Sequence, residues 1–341
     1  MESPVSGPPA KPIGVLQSLV LGFENIASQP ILLIPPLLLD LLIWLGPRLT
    51  IPAIFEELGS LITMPTGSEP ALIEQVNFMR ATIQELSHRV NLVSIVSSLP
   101  VGLPSLISSK QTIDTPFGAG KEIELISPFI IVLTILLMLV VGQALGAQYH
   151  IWIAQQIAPA GKKITNRWLT IRRMIFFALL VMVLSIMVGL GFSLFALLFA
   201  ILLPLLGFMV GFLGFSFVFW AFVYLIFTPH GIIRYRLGVI RAMTESTTLV
   251  RLNLLPVVGF LSLAYGIAWL TNQVWFLPDE KTWFILLAIA GHAFISTTLL
   301  AGSYAFYQDR RDLLFPLQEV IAETGGNGQD AMRVPDKGGK T

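Results

Sequence analysis

The sequence predicts an all-α membrane bundle, and two observations lead to that class. Of its 341 residues 55% are hydrophobic and 12% are charged, whereas soluble domains carry roughly 25% charged residues. No Asp, Glu, Lys or Arg occurs between Arg173 and His230. Because about 20 apolar residues span a bilayer as a helix, this run can cross twice, with a turn near Pro204. The full prediction is a polytopic bundle of six transmembrane helices, two interfacial amphipathic helices and an extracytoplasmic helical insertion.

The chain begins with a short tail, 1–12, that is expected to be disordered. Residues 13–28 place apolar side chains at helical spacing among polar ones, which favours a helix in the membrane interface. Packing of this helix on the inner face of the protein itself is an equally good interpretation. Residues 31–45 are predicted as the first span, with Asp40 near its middle.

Charged residues return in the segment 49–126, which is predicted to be helical and extracytoplasmic. Within 70–97 apolar residues alternate in steps of four and three, which is typical of a heptad seam: Leu72, Val76, Met79, Ile83, Leu86, Val90 and Val93. This seam either binds a protein partner as a coiled coil or packs on the bundle or a neighbouring helix. Residues 99–120 are rich in Pro, Gly and Ser and are predicted to be a loop.

The remaining five spans are expected within 127–311, and 312–341 is expected to be a largely disordered cytoplasmic tail. Glycine spacing predicts close helix packing in two places: Gly142 and Gly146 in one span, and Gly207, Gly211 and Gly214 on the return arm of the hairpin. With the N-terminal unit 13–48, these boundaries complete the predicted domain organisation.

Two parts of the chain resemble one another. Residues 238–251 are a second candidate interfacial helix, followed by a predicted span at 254–270. Gly14-Val15 leads to Trp44-Leu45, and Gly238-Val239 leads to Trp269-Leu270, an offset of 224 residues at the start and 225 at the end. This pattern predicts an internal repeat of the kind that membrane bundles often contain.

Basic residues in the loops indicate an orientation, because short cytoplasmic loops are rich in Lys and Arg. They concentrate at 158–173, at 229–253 and after the last span. Six spans with both termini in the cytoplasm of a cell-membrane protein satisfy this distribution. The same clusters are candidate contacts for anionic lipid: Lys162, Lys163, Arg167, Arg172, Arg173, Arg234 and Arg236.

Polar groups inside the predicted spans are the candidate functional residues. A carboxylate at mid-membrane is costly and usually faces the bundle interior. Asp40 is therefore either paired with His292 at similar depth, or protonated, or bonded to backbone groups freed by nearby prolines. Gln143, Gln148 and His150 form a candidate polar stripe that either lines a path or makes interhelical hydrogen bonds.

Several function classes lack support in the sequence. There is no cysteine, which excludes disulfides, thiolate catalysis and cysteine-ligated metals. The four histidines are widely separated, and no HExxH or GxSxG motif occurs. We therefore predict no catalytic or metal site, no cofactor and no nucleic-acid partner; the partners expected are the lipid bilayer and, where the seam binds a partner, a protein at 70–97.

The order of these parts resembles a group of bacterial six-helix membrane proteins, the YciC-like proteins and the membrane domain joined to some glycerophosphoryl diester phosphodiesterases. The resemblance rests on 13–45, on its echo at 238–270, and on the ending Tyr304-Ala305-Phe306-Tyr307-Gln308-Asp309-Arg310-Arg311. It implies the fold and no catalytic residues. The expected function is a non-enzymatic scaffold or partner-binding component; the alternatives are a small transporter or channel around Asp40 and His292, and a lipid-acting enzyme.

Overall fold

The computed structural model describes residues 12–62, 70–111, 114–157 and 166–315. Nearly all of the predicted terminal tails lies outside these residues. The helices are α1 (Val15–Ser28), α2 (Ile34–Leu45), α3 (Pro52–Leu61), α4 (Pro70–Arg89), α5 (Leu106–Lys110), α6 (Pro128–Ile157), α7 (Arg167–Leu202), α8 (Pro204–Leu225), α9 (Thr228–Arg234), α10 (Val239–Leu252), α11 (Leu254–Trp275) and α12 (Ile285–Leu314). Short strands are β1 (Arg48–Thr50), β2 (Asp114–Thr115), β3 (Gly118–Ala119) and β4 (Glu122–Glu124).

The long helices confirm the predicted membrane bundle. Among the described residues, five helices are long and apolar enough to span a membrane: α6, α7, α8 continued by α9, α11 and α12. A sixth crossing is formed if α1 and α2, which meet at 97°, are counted as one broken span. Most of their apolar side chains point outward, as expected where lipid rather than water surrounds a protein. The chain is a polytopic membrane protein.

The first helix packs lengthwise on the last one. The backbone N–H of Ile13 donates to Asp309 Oδ2 at 3.1 Å, and Phe23 makes an edge contact with Phe294. Between these points Gly22 lies so close to Gly302 that a Cβ would meet its backbone nitrogen at 2.6 Å. Of the two interpretations of 13–28, packing on the protein is therefore the one that the contacts favour. They also place both ends of the described chain at the same end of the bundle.

The apolar run between Arg173 and His230 forms the predicted hairpin. Pro204 occupies the first turn of α8, where its missing N–H costs no helical hydrogen bond. Gly207 and Gly214 face α7 so closely that a Cβ would meet Ala200 or Phe192 at 2.5 Å or less, while Gly211 lies at ordinary contact distance from Ala196. The uncharged part of α7, residues 174–202, is about 44 Å long. This is longer than a bilayer core of about 30 Å, and a tilt of the helix accommodates the excess.

The two similar parts of the sequence fold alike at first and then diverge. Helices α1 and α10 each have 14 residues and begin after a glycine with φ near −65° and ψ near 157°. Ser18, Gly22 and Ile26 are buried in α1, and the residues 224 positions later, Ala242, Ser246 and Val250, are buried in α10. The difference lies beyond these helices: α11 has 22 residues and is long enough to span a membrane by itself, whereas α2 has 12 and forms a span only together with α1.

The short strands and the helices α3 and α4, which lie between α2 and α6 in the chain, are at the end of the bundle opposite to Arg173 and Arg236. β1 and β4 pair in parallel, with Arg48 opposite Glu122 and their side chains 2.8 Å apart. α3 and α4 form a helical hairpin, and β2 and β3 form a small β-hairpin. The predicted helix 70–97 is not continuous: α4 ends at Arg89, and the side chain of Asn91 accepts hydrogen bonds from the N–H groups of Leu49 and Val93.

Candidate functional site

Residues 91–110, which we call the inserted segment, enter the core of the bundle. The segment starts beside Ile131, descends along α6 and returns through α5. Its deepest described contact joins Val101 to Gly146, about 27 Å along α6 from Pro128. Much of this stretch was predicted as an external loop. The prediction was wrong because partners distant in sequence satisfy its backbone, which permits non-helical chain at membrane depth.

Asp40 anchors the returning arm of the inserted segment. Its side chain is fully buried. Oδ1 accepts hydrogen bonds from Ser105 Oγ at 2.5 Å and from the Ile107 N–H at 3.0 Å, and Oδ2 accepts one from the Leu106 N–H at 3.1 Å. The carboxylate thus caps the backbone at the start of α5. The sequence left three alternatives for Asp40, and hydrogen bonding to backbone groups is the one observed. The backbone N–H donors belong to the inserted segment and not to residues near the prolines of α2.

Helix α6 holds the descending arm through one side chain and two glycines. Gln143 Oε1 accepts from the Val101 N–H at 3.2 Å, and its Nε2 donates to the Ser98 carbonyl at 3.0 Å. Gly142 and Gly146 let the backbone of the inserted segment approach; a Cβ at Gly142 would lie 2.5 Å from the Val96 oxygen. Gly142 therefore receives a short 3-10 helix (Leu92–Ser97), and Gly146 receives the irregular chain that follows it, where the sequence predicted a second long helix.

The predicted pairing of Asp40 with His292 does not form. His292 Nδ1 lies 3.2 Å from Asn272 Oδ1, while the hydrogen bonds to Asp40 come from residues 105–107. The reason is that the inserted segment supplies donors to Asp40, and α11 supplies the partner of His292. The sequence gives no local signal for either, since both partnerships join residues from separate elements.

A second polar cluster lies nearer the other end of α6. His150 Nδ1 is 3.1 Å from Tyr304 Oη, and His230 Nε2 is 2.8 Å from Ser303 Oγ. The rings of His230 and Tyr304 are 4.1 Å apart, and both are buried. A lipid-acting enzyme would need polar groups such as His150, His230 and Arg234 to converge at one leaflet. His150 and His230 do converge, but both are buried, and Arg234 Nε donates to Gln308 Oε1 at 3.4 Å instead.

The members of the predicted polar stripe face different surroundings. Gln143 bonds to the inserted segment and His150 to Tyr304, while Gln148 is half-buried between them. These hydrogen bonds link α6 to the inserted segment and to α12. They occupy polar groups of Gln143 and His150 that would have to face a transport path.

An ion cluster with Glu245 and Arg311 buried at its centre joins α10 to the end of α12. Glu245 binds Arg311 at 3.1 Å and Arg241 at 3.0 Å. The Arg311 guanidinium stacks 3.5 Å above the Tyr235 ring, and the Tyr235 hydroxyl donates to Asp312 at 2.7 Å. Burial and the bond to Asp312 raise the pKa of Tyr235 above its usual value. This cluster was not predicted from the sequence, although the spacing of Arg241 and Glu245 is that of a helical ion pair.

The predicted lipid contacts gather at one end of the bundle, which we call the basic end. Arg167, Arg172 and Arg236 are exposed there, and Arg173 is half-buried. Lys162 and Lys163 lie outside the described residues. Within the part of the chain that is described, no group of three or more His, Asp or Glu side chains could hold a metal ion.

Searches of protein-family models, curated proteins and solved structures found no match to this chain. The fold and the polar contacts define its class: a polytopic membrane bundle in which an irregular segment is fixed to the core by Asp40 and Gln143. Any more specific role has to be inferred from this geometry.

Proposed function

We propose that the protein is a non-enzymatic, partner-binding component of the cell membrane, with both termini in the cytoplasm and the α3–α4 hairpin as its binding surface. One observation carries this proposal: the hairpin exposes large apolar side chains outside the bundle. Phe78 is 73% exposed, and the others are Leu58, Leu61, Ile73, Met79 and Leu86. Clustered apolar side chains on a helical surface are typical of protein-binding sites.

A cleft between the two helices lies beside this surface. Its volume is about 390 Å³, and its lining combines apolar side chains with polar ones, among them Glu56 and Arg80: Pro52, Phe55, Glu56, Gly59, Arg80, Ile83, Gln84 and Ser87. Arg80 Nη2 donates to the Ile62 carbonyl at 2.5 Å, which holds the end of α3 against α4. A groove of this kind suits an amphipathic helix of a partner protein, which would bury apolar residues and face both charges.

The interior supports a structural rather than a catalytic role. Asp40 is enclosed with three donors, and the His150–Tyr304–His230 cluster is buried. A catalytic base must reach its substrate within hydrogen-bond distance. The proposed orientation follows from the basic end, because Lys and Arg concentrate on the cytoplasmic side.

The experiment is photocrosslinking in intact cells. A photoreactive amino acid replaces Met79 or Leu86 on the exposed seam, and Phe117, which is exposed in the β2–β3 hairpin outside the α3–α4 surface, is the control. The supporting result is one protein adduct of the same mass from Met79 and Leu86 and none from Phe117. Adducts to lipid alone, or equal adducts from all three positions, would reject the proposal.

A second candidate, transport, is favoured by the 97° break between α1 and α2, the helix that carries Asp40, because transporters place sites at discontinuous helices. The chain has no cysteine, so a single cysteine can be introduced at Ser105. A membrane-impermeant thiol reagent should not modify it in a scaffold. Modification from either side, at a rate near that of an exposed surface cysteine, would show a hydrated path to Asp40 and favour transport.

A further inference from the structure

We propose that a cleft at the basic end binds one anionic phospholipid molecule. The cleft lies between one face of α7 and the first residue of α10 and has a volume of about 440 Å³, within the range of small-molecule sites. Its walls are almost entirely apolar and are formed mainly by Leu169, Ile175, Phe176, Leu179 and Val239. Such walls suit an acyl chain.

Two arginines stand at the cleft beside these apolar walls. Arg172 is exposed, and Arg173 donates from Nη1 to the carbonyls of Arg236 and Leu237 at 2.7 and 3.3 Å. These bonds fix the Arg173 guanidinium against the linker that leads into α10. The described residues that line the cleft include no carboxylate, so its charge complements a phosphate.

The combination identifies the occupant. A soluble anion would use the arginines but not the apolar walls, and a zwitterionic lipid would use the walls without a net charge to match the arginines. An anionic phospholipid satisfies both, with an acyl chain against Phe176 and Leu179 and its phosphate at Arg172 and Arg173. The cleft lies at the opposite end from α3 and α4, so this site is independent of the proposed partner surface.

The test measures lipid binding to the full-length protein in mild detergent by native mass spectrometry. Phosphatidylglycerol and phosphatidylcholine with identical acyl chains are the probes, and glycerol phosphate supplies the headgroup chemistry without chains. Arg172→Gln removes charge at the cleft, and Arg251→Gln removes the same charge from the far end of α10. Leu179→Trp fills the cleft, and Leu184→Trp adds the same bulk to a lipid-facing position beyond it.

We expect one phosphatidylglycerol to bind at least about fivefold more tightly than phosphatidylcholine, the preference that corresponds to one basic residue near a lipid headgroup. Arg172→Gln should remove this preference and Leu179→Trp should remove binding, while Arg251→Gln and Leu184→Trp keep both. Equal binding of the two lipids, equal losses in the control variants, or glycerol phosphate binding as tightly as the lipid would each overturn the proposal.

Discussion

Replacing Gly146 with alanine directly tests whether the inserted segment packs against α6 at Val101. A Cβ at this position would lie 2.7 Å from the Val101 carbonyl carbon and would overlap the carbonyl oxygen, whereas carbon atoms pack at about 3.5–4.0 Å. The segment would have to move by about 1 Å. Such a shift strains the hydrogen bond that ties the Val101 N–H to Gln143.

The expected magnitude follows from two opposing effects. Overpacking of a tight interior costs about 1–3 kcal/mol, and alanine regains about 1 kcal/mol over glycine within a helix. We expect Gly146→Ala to lower the free energy of unfolding by about 1–2 kcal/mol, since its overlap with a backbone carbonyl is severe. The control is Gly189→Ala in α7, where nothing lies within 4 Å of the new Cβ. It should leave stability unchanged or raise it by up to about 1 kcal/mol.

The assay is equilibrium unfolding in mixed micelles, followed by intrinsic tryptophan fluorescence, with size-exclusion chromatography to establish that each variant is monodisperse before unfolding. Opposite signs for the two substitutions would support the described packing. Equal changes at Gly146 and Gly189, or a Gly146→Ala protein as stable as the parent, would refute the reasoning that places Val101 against α6.

Three further predictions concern the other polar contacts. Asp40→Ala leaves two buried N–H groups without an acceptor, which costs about 1–3 kcal/mol each, so the free energy of unfolding in micelles should fall by about 2–6 kcal/mol. Asp40→Asn keeps one acceptor oxygen and should lower the free energy of unfolding by less. Glu245→Gln removes the negative charge that pairs with the buried Arg311, and breaking a buried ion pair costs about 3–5 kcal/mol. Equilibrium unfolding in micelles should therefore show a lower midpoint, and an unchanged midpoint would contradict the buried pairing. A single cysteine at buried Val101 should resist a water-soluble maleimide that modifies one at exposed Ser109, and equal modification rates would place both positions in water.

Hydropathy was sufficient to predict the long spans, because each is a local property of 20 or more consecutive residues. The hairpin turn at Pro204 followed from the same pattern, since the proline sits in the first turn of a new helix. The repeat at an offset of 224 residues also had a local signature, and the matching burial of α1 and α10 extends it to three dimensions.

The inserted segment could not be predicted in this way. Its Pro, Gly and Ser content is typical of a loop in water, and only distant residues make it compatible with the core. Asp40 is 65 residues from Ser105, and Gln143 is 42 residues from Val101. The glycines of α6 did signal close approach, but glycine spacing does not specify whether a helix or an irregular chain will occupy the space.

The heptad seam illustrates a different limit. Apolar periodicity over 70–97 predicted one helix, yet Asn91 interrupts it, because its side chain bonds to the Leu49 backbone and starts a new turn. Met79 and Leu86 remain exposed. Apolar spacing alone does not distinguish a seam that binds a partner from one that packs within the protein, and the crosslinking experiment does.

The most direct test of the membrane assignment compares two spin labels in the reconstituted protein. Because the chain lacks cysteine, labels can be placed singly at Leu184 in the uncharged run and at Phe117, which is 79% exposed in the β2–β3 hairpin. Oxygen partitions into the bilayer core and a nickel chelate stays in water. We expect oxygen to relax the Leu184 label and the chelate to relax the Phe117 label; a Leu184 label as accessible to the chelate as that at Phe117 would contradict the account.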